Sequence, residues 1–227
     1  MSAFRSALVF SLLPLFAGCQ WLGVQSAAPA KVSMVGMTRM QGTLSGENGK
    51  LLFQPCGEPR RYVVIDRGDT AILQEAASLA DAQGKVFADL RGRFNASKAQ
   101  GGDGQLDLYQ LYRVERPGQA CEDPNFKRLT LHADGLNPVW NVEVSGKGMI
   151  IDVQGQPPVA LPYLEEQLPD GRFNLSSEAN GQRIDMWVAP QRCVDSKSGA
   201  VRHLSAELRI NGQAVRGCGY YGGSRND

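Results

Sequence analysis

The sequence predicts a mainly β protein built as two small β-rich domains, the first an OB-like barrel with one short helix. Three observations predict it. Apolar and polar residues alternate with a period of two in Val86–Phe94, Trp140–Ser145 and Leu204–Ile210, the pattern of a strand with one buried face. Turn signals punctuate these runs at Ser45–Gly49, Asn180-Gly181 and Asn211-Gly212, where Asn-Gly suits a tight hairpin. Only Thr70–Ala80 repeats its apolar residues at helical spacing.

The chain opens with Arg5 and an apolar run from Ala7 to Phe16. That run has signal-peptide length and is too short to span a membrane as a helix. Leu15-Phe16-Ala17-Gly18-Cys19 closes it and looks like a bacterial lipobox. In that reading the Cys19 thiol takes a diacylglycerol, the chain is cut before it, and the new amino group is acylated. More than one acyl chain makes such an anchor durable. Gln20 replaces the Asp that retains lipoproteins in the inner membrane, so the expected place is the inner leaflet of the outer membrane, facing the periplasm. Residues 1–18 are then signal and 19–37 a lipidated tether rich in Ala, Ser, Gly and Pro. Trp21 and Leu22 stand next to the lipid.

The first domain spans 38–127. Met40–Leu44, Lys50–Gln54 and Arg60–Asp66 read as strands, the first two joined by a hairpin turn. Asp69 is a plausible N-cap for the helix, with Ile72, Leu73, Ala76 and Leu79 on one side. Val86–Phe94 and Leu106–Val114 are longer strands, the second with a slip at Gln110. Strand, strand, strand, helix, strand, strand is the order of an OB barrel. Arg91, Arg93, Tyr109 and Tyr112 are too few for a nucleic-acid face and read as a solvated strand face.

The second domain spans 128–222, with 223–227 as a fraying tail. Trp140–Ser145, Met149–Val153, Phe173–Leu175, Arg183–Val188, Leu204–Ile210 and Ala214–Cys218 read as strands. Gln156–Pro162 reads as an edge or loop, because Pro cannot donate to a ladder.

Three motifs here resemble a family of uncharacterised bacterial envelope lipoproteins. They are Gly135-Leu136-Asn137-Pro138-Val139-Trp140, Cys193-Val194-Asp195-Ser196-Lys197-Ser198-Gly199 and Arg216-Gly217-Cys218-Gly219. The family pattern is Gly-Asn-Glu-Pro-Phe-Trp, Cys-x-Asp-x-x-Ser-Gly and a closing Gly-Cys. Asn137 stands where the pattern has Glu, and Val139 where it has Phe, so a role resting on that Glu does not carry over. The resemblance covers about Asp134–Tyr221. The first domain is loosely similar to NlpE-like envelope lipoproteins but has a lone Cys56 where those have Cys-x-x-Cys. The likeness implies fold and location and no particular chemistry.

Removing 1–18 takes Arg5 away and leaves 23 basic and 23 acidic residues. A neutral chain argues against nucleic acid or anionic lipid as main partner. Four cysteines remain: Cys56, Cys121, Cys193 and Cys218. An even number in an oxidising compartment reads as disulfides. Pairing within each domain gives Cys56–Cys121 and Cys193–Cys218.

His132 and His203 lie in no metal-ligand spacing with Cys or carboxylates and read as strand or loop residues. No nucleophile elbow, phosphate loop or zinc-protease motif occurs. Glu165-Glu166 reads as a solvated loop, Arg67-Gly68-Asp69 as a turn before the helix, and Gly217–Gly223 as a strand end with a disulfide and packed tyrosines. No cofactor, metal or catalytic residue is expected. The functional expectation is non-catalytic: binding an envelope protein or cell-wall component in envelope homeostasis or stress sensing. The alternative is inhibition of a lysozyme-type enzyme, and a hydrolase comes third.

Overall fold

The computed structural model describes residues 33–225, apart from 81–83, 97–100, 119 and 180. The signal segment, Cys19, Trp21 and Leu22 lie outside the described residues.

The first part of the chain forms β1 (Thr38–Glu47), β2 (Lys50–Pro55), β3 (Tyr62–Asp66), the helix α1 (Ile72–Leu79), β4 (Lys85–Asn95) and β5 (Gly104–Glu115). β1 pairs with β2 and β2 with β3, both antiparallel, while β3 pairs with β5 in parallel. β4 then pairs with both β5 and β1, which closes these five strands into a barrel with OB connectivity. Alternating residues fill it: Leu44, Phe53, Leu90, Leu106 and Leu108 are all buried. Each such side chain contributes about 1.5–3 kcal/mol by leaving water. The slip expected at Gln110 is real. The β4–β5 register shifts on either side of the Arg91–Gln110 pair, and such bulges bend a strand around a barrel.

α1 packs Ile72, Ala76 and Leu79 into the barrel core, while Leu73 is exposed. Its start differs from expectation. Asp69 is not the cap: Ala71 holds that position, with no capping side chain. The carboxylate of Asp66 instead accepts from the Thr70 amide at 2.9 Å and hydroxyl at 3.0 Å. The turn before the helix is thus tied back to the end of β3.

The second part forms β6 (Leu129–Leu136), β7 (Val139–Ser145), β8 (Gly148–Val153), β9 (Val159–Leu161), β10 (Leu164–Gln167), β11 (Phe173–Ala179), β12 (Gln182–Ala189), β13 (Cys193–Val194), β14 (Val201–Arg202), β15 (Leu204–Ile210) and β16 (Gln213–Tyr221). Among the described residues nine of these make one antiparallel sheet in the order β10-β11-β12-β15-β16-β6-β7-β8-β9. Its two edge strands, β9 and β10, are consecutive in the chain, joined only by Pro162 and Tyr163. A two-residue link can join opposite edges only if the sheet curls, and the curl wraps one core around Trp140, Met149, Phe173, Leu175 and Leu208. Glu165-Glu166 therefore lies on an exposed edge strand and not in a loop.

The hairpin β13–β14 leaves this sheet and joins the first one, where Val201 and Arg202 pair with Val114 and Arg113 of β5. Around it the two sheets share a buried polar joint. Arg39 of β1 donates to both Asp89 oxygens at 2.9 and 2.8 Å and to the carbonyls of Gly222 and Tyr221. Its guanidinium lies 3.8 Å over the Tyr112 ring. Asp89 and Tyr112 are fully buried and Arg91 nearly so. The face expected to be solvated is thus largely covered by the carboxyl-terminal strands, and only Arg93 of its basic residues is exposed. Tail residues expected to fray are also held: Gly223 and Ser224 donate to Phe126 and Leu129 carbonyls, and Arg225 sits over Phe173 and Tyr221.

Candidate functional site

A groove of about 550 Å³ crosses the strip formed by β10, β11 and β12. Its residues follow from strand periodicity. In β12, Ile184, Met186 and Val188 turn into the core, so Arg183, Asp185 and Trp187 take the opposite face. In β11, Phe173 and Leu175 turn inward and Asn174, Ser176 and Glu178 turn outward. Register aligns these in rows. Glu166, Asn174 and Trp187 make one row, and Leu164, Ser176 and Asp185 the next.

Two large apolar side chains stand open here, Leu164 at 77% and Trp187 at 41% exposure. Between them Asn174 is only 5% exposed, and its amide nitrogen has no hydrogen-bond partner. An unpaired buried polar group costs about 1–3 kcal/mol, so the Asn174 nitrogen marks a site that fold stability does not explain. Arg183 lies between Asp185 at 3.2 Å and Glu178 at 3.4 Å. Two carboxylates thus face one guanidinium, and Glu166 lies farther along the groove, in the row of Trp187. At the rim the Tyr163 hydroxyl donates to the Ser145 carbonyl at 3.3 Å.

Two other cavities differ in kind. One of about 270 Å³ lies at the joint between the sheets, lined by Thr70, Glu75, Tyr112, Arg192 and His203. Its buried carboxylate, Glu75, is already held by Arg192 at 2.5 and 2.9 Å. His203 is held there as neutral imidazole, its pKa lowered to about 4, chiefly by burial. Nδ1 donates to the Tyr112 carbonyl at 2.9 Å. A wider depression of about 630 Å³ lies beside Cys56 and Cys121, where the charged Glu47 and Arg61 pair with each other.

Of the residues singled out in the sequence Glu166 lies in this groove, and the described cysteines and motif residues lie elsewhere. Cys56–Cys121 and Cys193–Cys218 form as expected. Cys193 is on the hairpin that joins the first sheet and Cys218 on β16 of the second, so that bridge spans the joint. Trp140 is 1% exposed and rests on two glycines. A Cβ on Gly135 would lie 2.3 Å from its indole nitrogen, and one on Gly217 2.8 Å from the ring and 1.8 Å from the Asp134 carbonyl. Gly219 is similarly close to the His132 carbonyl. Asn137 and Pro138 make the turn between β6 and β7 through a cis peptide. Asp195 closes the β13–β14 turn, accepting from the Ser198 amide and hydroxyl at 2.6 Å each, and Gly199 supplies a positive φ of 75°. Burial works to raise the Asp195 pKa, and the Ser198 hydrogen bonds outweigh it, leaving it below the ordinary carboxylate value. His132 bonds Asp134 at 3.1 Å.

Sequence reasoning passed over Trp187 and Asn174. A signal for Trp187 was present: a strand with Ile184, Met186 and Val188 facing inward puts a Trp on its polar face. Asn174 had none, because an outward Asn is ordinary until its burial is known. Among the described residues no group of three His, Cys, Asp or Glu side chains could hold a metal ion, and no helix is long and apolar enough to cross a membrane. No family model, no curated protein and no solved structure matches this chain.

Proposed function

We propose that the protein is a lipid-anchored envelope protein of the outer membrane's inner leaflet, facing the periplasm, and that its role is non-catalytic binding of an envelope component. Cys19 after an apolar run and two small residues supports the anchor. Two disulfides support an oxidising compartment. The spaced motifs around Trp140, Asp195 and Cys218 support kinship with envelope lipoproteins of the type they resemble. The observation that carries the binding role is the groove itself, where exposed Trp187 and Leu164 flank a buried Asn174 whose amide lacks a partner. Its volume falls in the range of about 300–1,000 Å³ usual for ligand sites.

Two measurements test this reading. Cys19→Ser should abolish incorporation of labelled palmitate and release the chain from membranes; unchanged labelling rules the anchor out. A photoreactive residue at Leu164 in living cells should yield a discrete adduct that Trp187→Ala removes. The same residue placed at the exposed Ile150 of β8 is the control, and no difference between the two positions overturns the groove as the recognition face.

A further inference from the structure

The chemistry of the groove specifies its ligand further, on the reading that it is the recognition face. We propose that it binds an uncharged oligosaccharide, with a sugar ring packed on the Trp187 indole and its hydroxyl or acetamido groups bonded to Asn174, Ser176, Asp185 and Arg183.

Trp187 is 41% exposed on a sheet face whose other groove residues, apart from Leu164, are polar or charged. A pyranose has one face of C–H groups, which an aromatic ring removes from water, while its hydroxyls point sideways. A hydroxyl both donates and accepts, so it needs a mixed lining: carboxylates that accept, a guanidinium that donates, and an amide that does both. The rows Glu166–Asn174–Trp187 and Leu164–Ser176–Asp185 bring the carboxylates, the amide and a hydroxyl beside the indole, and Arg183 follows in the next row. The buried nitrogen of Asn174 is a donor without an acceptor, and a sugar hydroxyl or acetamido carbonyl supplies one.

Charge narrows the class. Glu166, Glu178 and Asp185 against Arg183 alone leave the lining net negative, which disfavours phosphorylated, sulfated or carboxylated ligands. A basic side chain suits the charge but only donates, and leaves the Asn174 nitrogen unsatisfied. A peptide could add to the free edge of β10, but that edge lies two strands from Trp187, about 10 Å away, and such a peptide would not use the indole. An uncharged sugar meets all the groups at once.

The test uses the mature chain from residue 19 with Cys19→Ser, titrated with chitotetraose and cellotetraose as acetylated and plain neutral sugars. Heparin tetrasaccharide and tetralysine are the charged comparisons. Saturation transfer to the sugar ring protons and protection of tryptophan emission from iodide report binding. Saturable binding of either neutral sugar is expected, lost in Trp187→Ala and partly kept in Trp187→Phe. Asn174→Ala should bind about tenfold more weakly, the effect of one hydrogen bond to a buried group. Thermal melts confirm that each variant folds. No binding of either neutral sugar, or binding unchanged in a folded Trp187→Ala, overturns the proposal. If the Leu164 adduct in cells then proves to be protein, or tetralysine binds in a Trp187-dependent way, the saccharide is wrong and the recognition face stands. If neither sugar nor adduct is found, both fail.

Discussion

His203 illustrates how burial sets the state of a single residue. Its ring packs edge-on to Tyr112 and to Tyr221, each 4.9 Å away, and there its pKa falls from 6.5 to about 4 because burial disfavours the charged form. The backbone carbonyl of Tyr112 can only accept, so the proton of the neutral ring sits on Nδ1. In the unfolded chain the same ring protonates near its ordinary value. Between pH 6.5 and 4 the unfolded state therefore binds a proton that the folded state refuses, and stability falls as pH drops through that window. The full loss is roughly 3 kcal/mol. The lowered carboxylates Asp134 and Asp195 also lose their contribution on acidification, but below their ordinary values, beneath the histidine window. His203→Asn keeps a donor near the Nδ1 position. Melting temperatures from pH 7.5 to 5 should decline for the wild type and decline less for this variant; equal slopes would assign the acid sensitivity to other groups. Gly217 shows the same dependence on surroundings by steric means. An added methyl has nowhere to go between the Asp134 carbonyl and Trp140, so Gly217→Ala should cost about 3 kcal/mol in a urea melt, whereas Gly146→Ala, in open space, should cost far less.

At the scale of elements, most strands and their order were legible because period-two alternation reports one buried face directly, though β6 went unread despite its regular alternation of Leu129, Leu131 and Ala133. The barrel's connectivity followed from element order, and both disulfides from the chain positions of four cysteines. What was not legible arises where a second layer covers the face that local pattern marks as polar. Asp89, Arg91 and Tyr112 alternate like solvated residues, and become buried only because β14 and the end of β16 lie over them. The candidate site stayed hidden for a related reason, since Asn174 gains its meaning from burial next to Trp187. β10 was missed because all four of its residues are exposed, so it carries no apolar periodicity. β13 and β14 are two residues each, too short for any pattern. Yet that hairpin is where the halves engage. Arg192, at its entry, clamps Glu75 of α1, and Glu75 is buried. Removing one partner of a buried pair costs about 3–5 kcal/mol. Arg192 is itself largely exposed and stays solvated when it loses its partner, so Glu75→Gln should destabilise less than Arg192→Ala, which strands the buried carboxylate. Chemical denaturation of the two variants orders them, and the reverse order would show that the pair is incidental.

Across the whole molecule unlike devices hold the two sheets together. Among them are a ladder step between β14 and β5, the half-buried cation of Arg39 that reaches both sheets, and the Cys193–Cys218 bridge across the joint. Loop-closure entropy assigns the bridge about 3.5 kcal/mol, and the longer Cys56–Cys121 loop about 4. Reduction should therefore lower the melting temperature. Cys193→Ala with Cys218→Ala should also make hydrogen exchange at Arg113 and Val114 faster than in the interior of β2. Exchange that stays equal at both places would mean the bridge does not guard the joint.

The pairing of β14 with β5 also bears on how a chain is completed. A polypeptide delivered amino end first has all five barrel strands by Glu115. The edge at Arg113 and Val114 still waits for residues 201 and 202, and Arg39 lacks two of its acceptors until Tyr221 and Gly222 arrive. Until then that strand edge is open to other chains, and Arg39 keeps only its Asp89 partner. A chain cut short after β12 therefore keeps that edge open, and the barrel is sealed there only by residues that come almost ninety positions later.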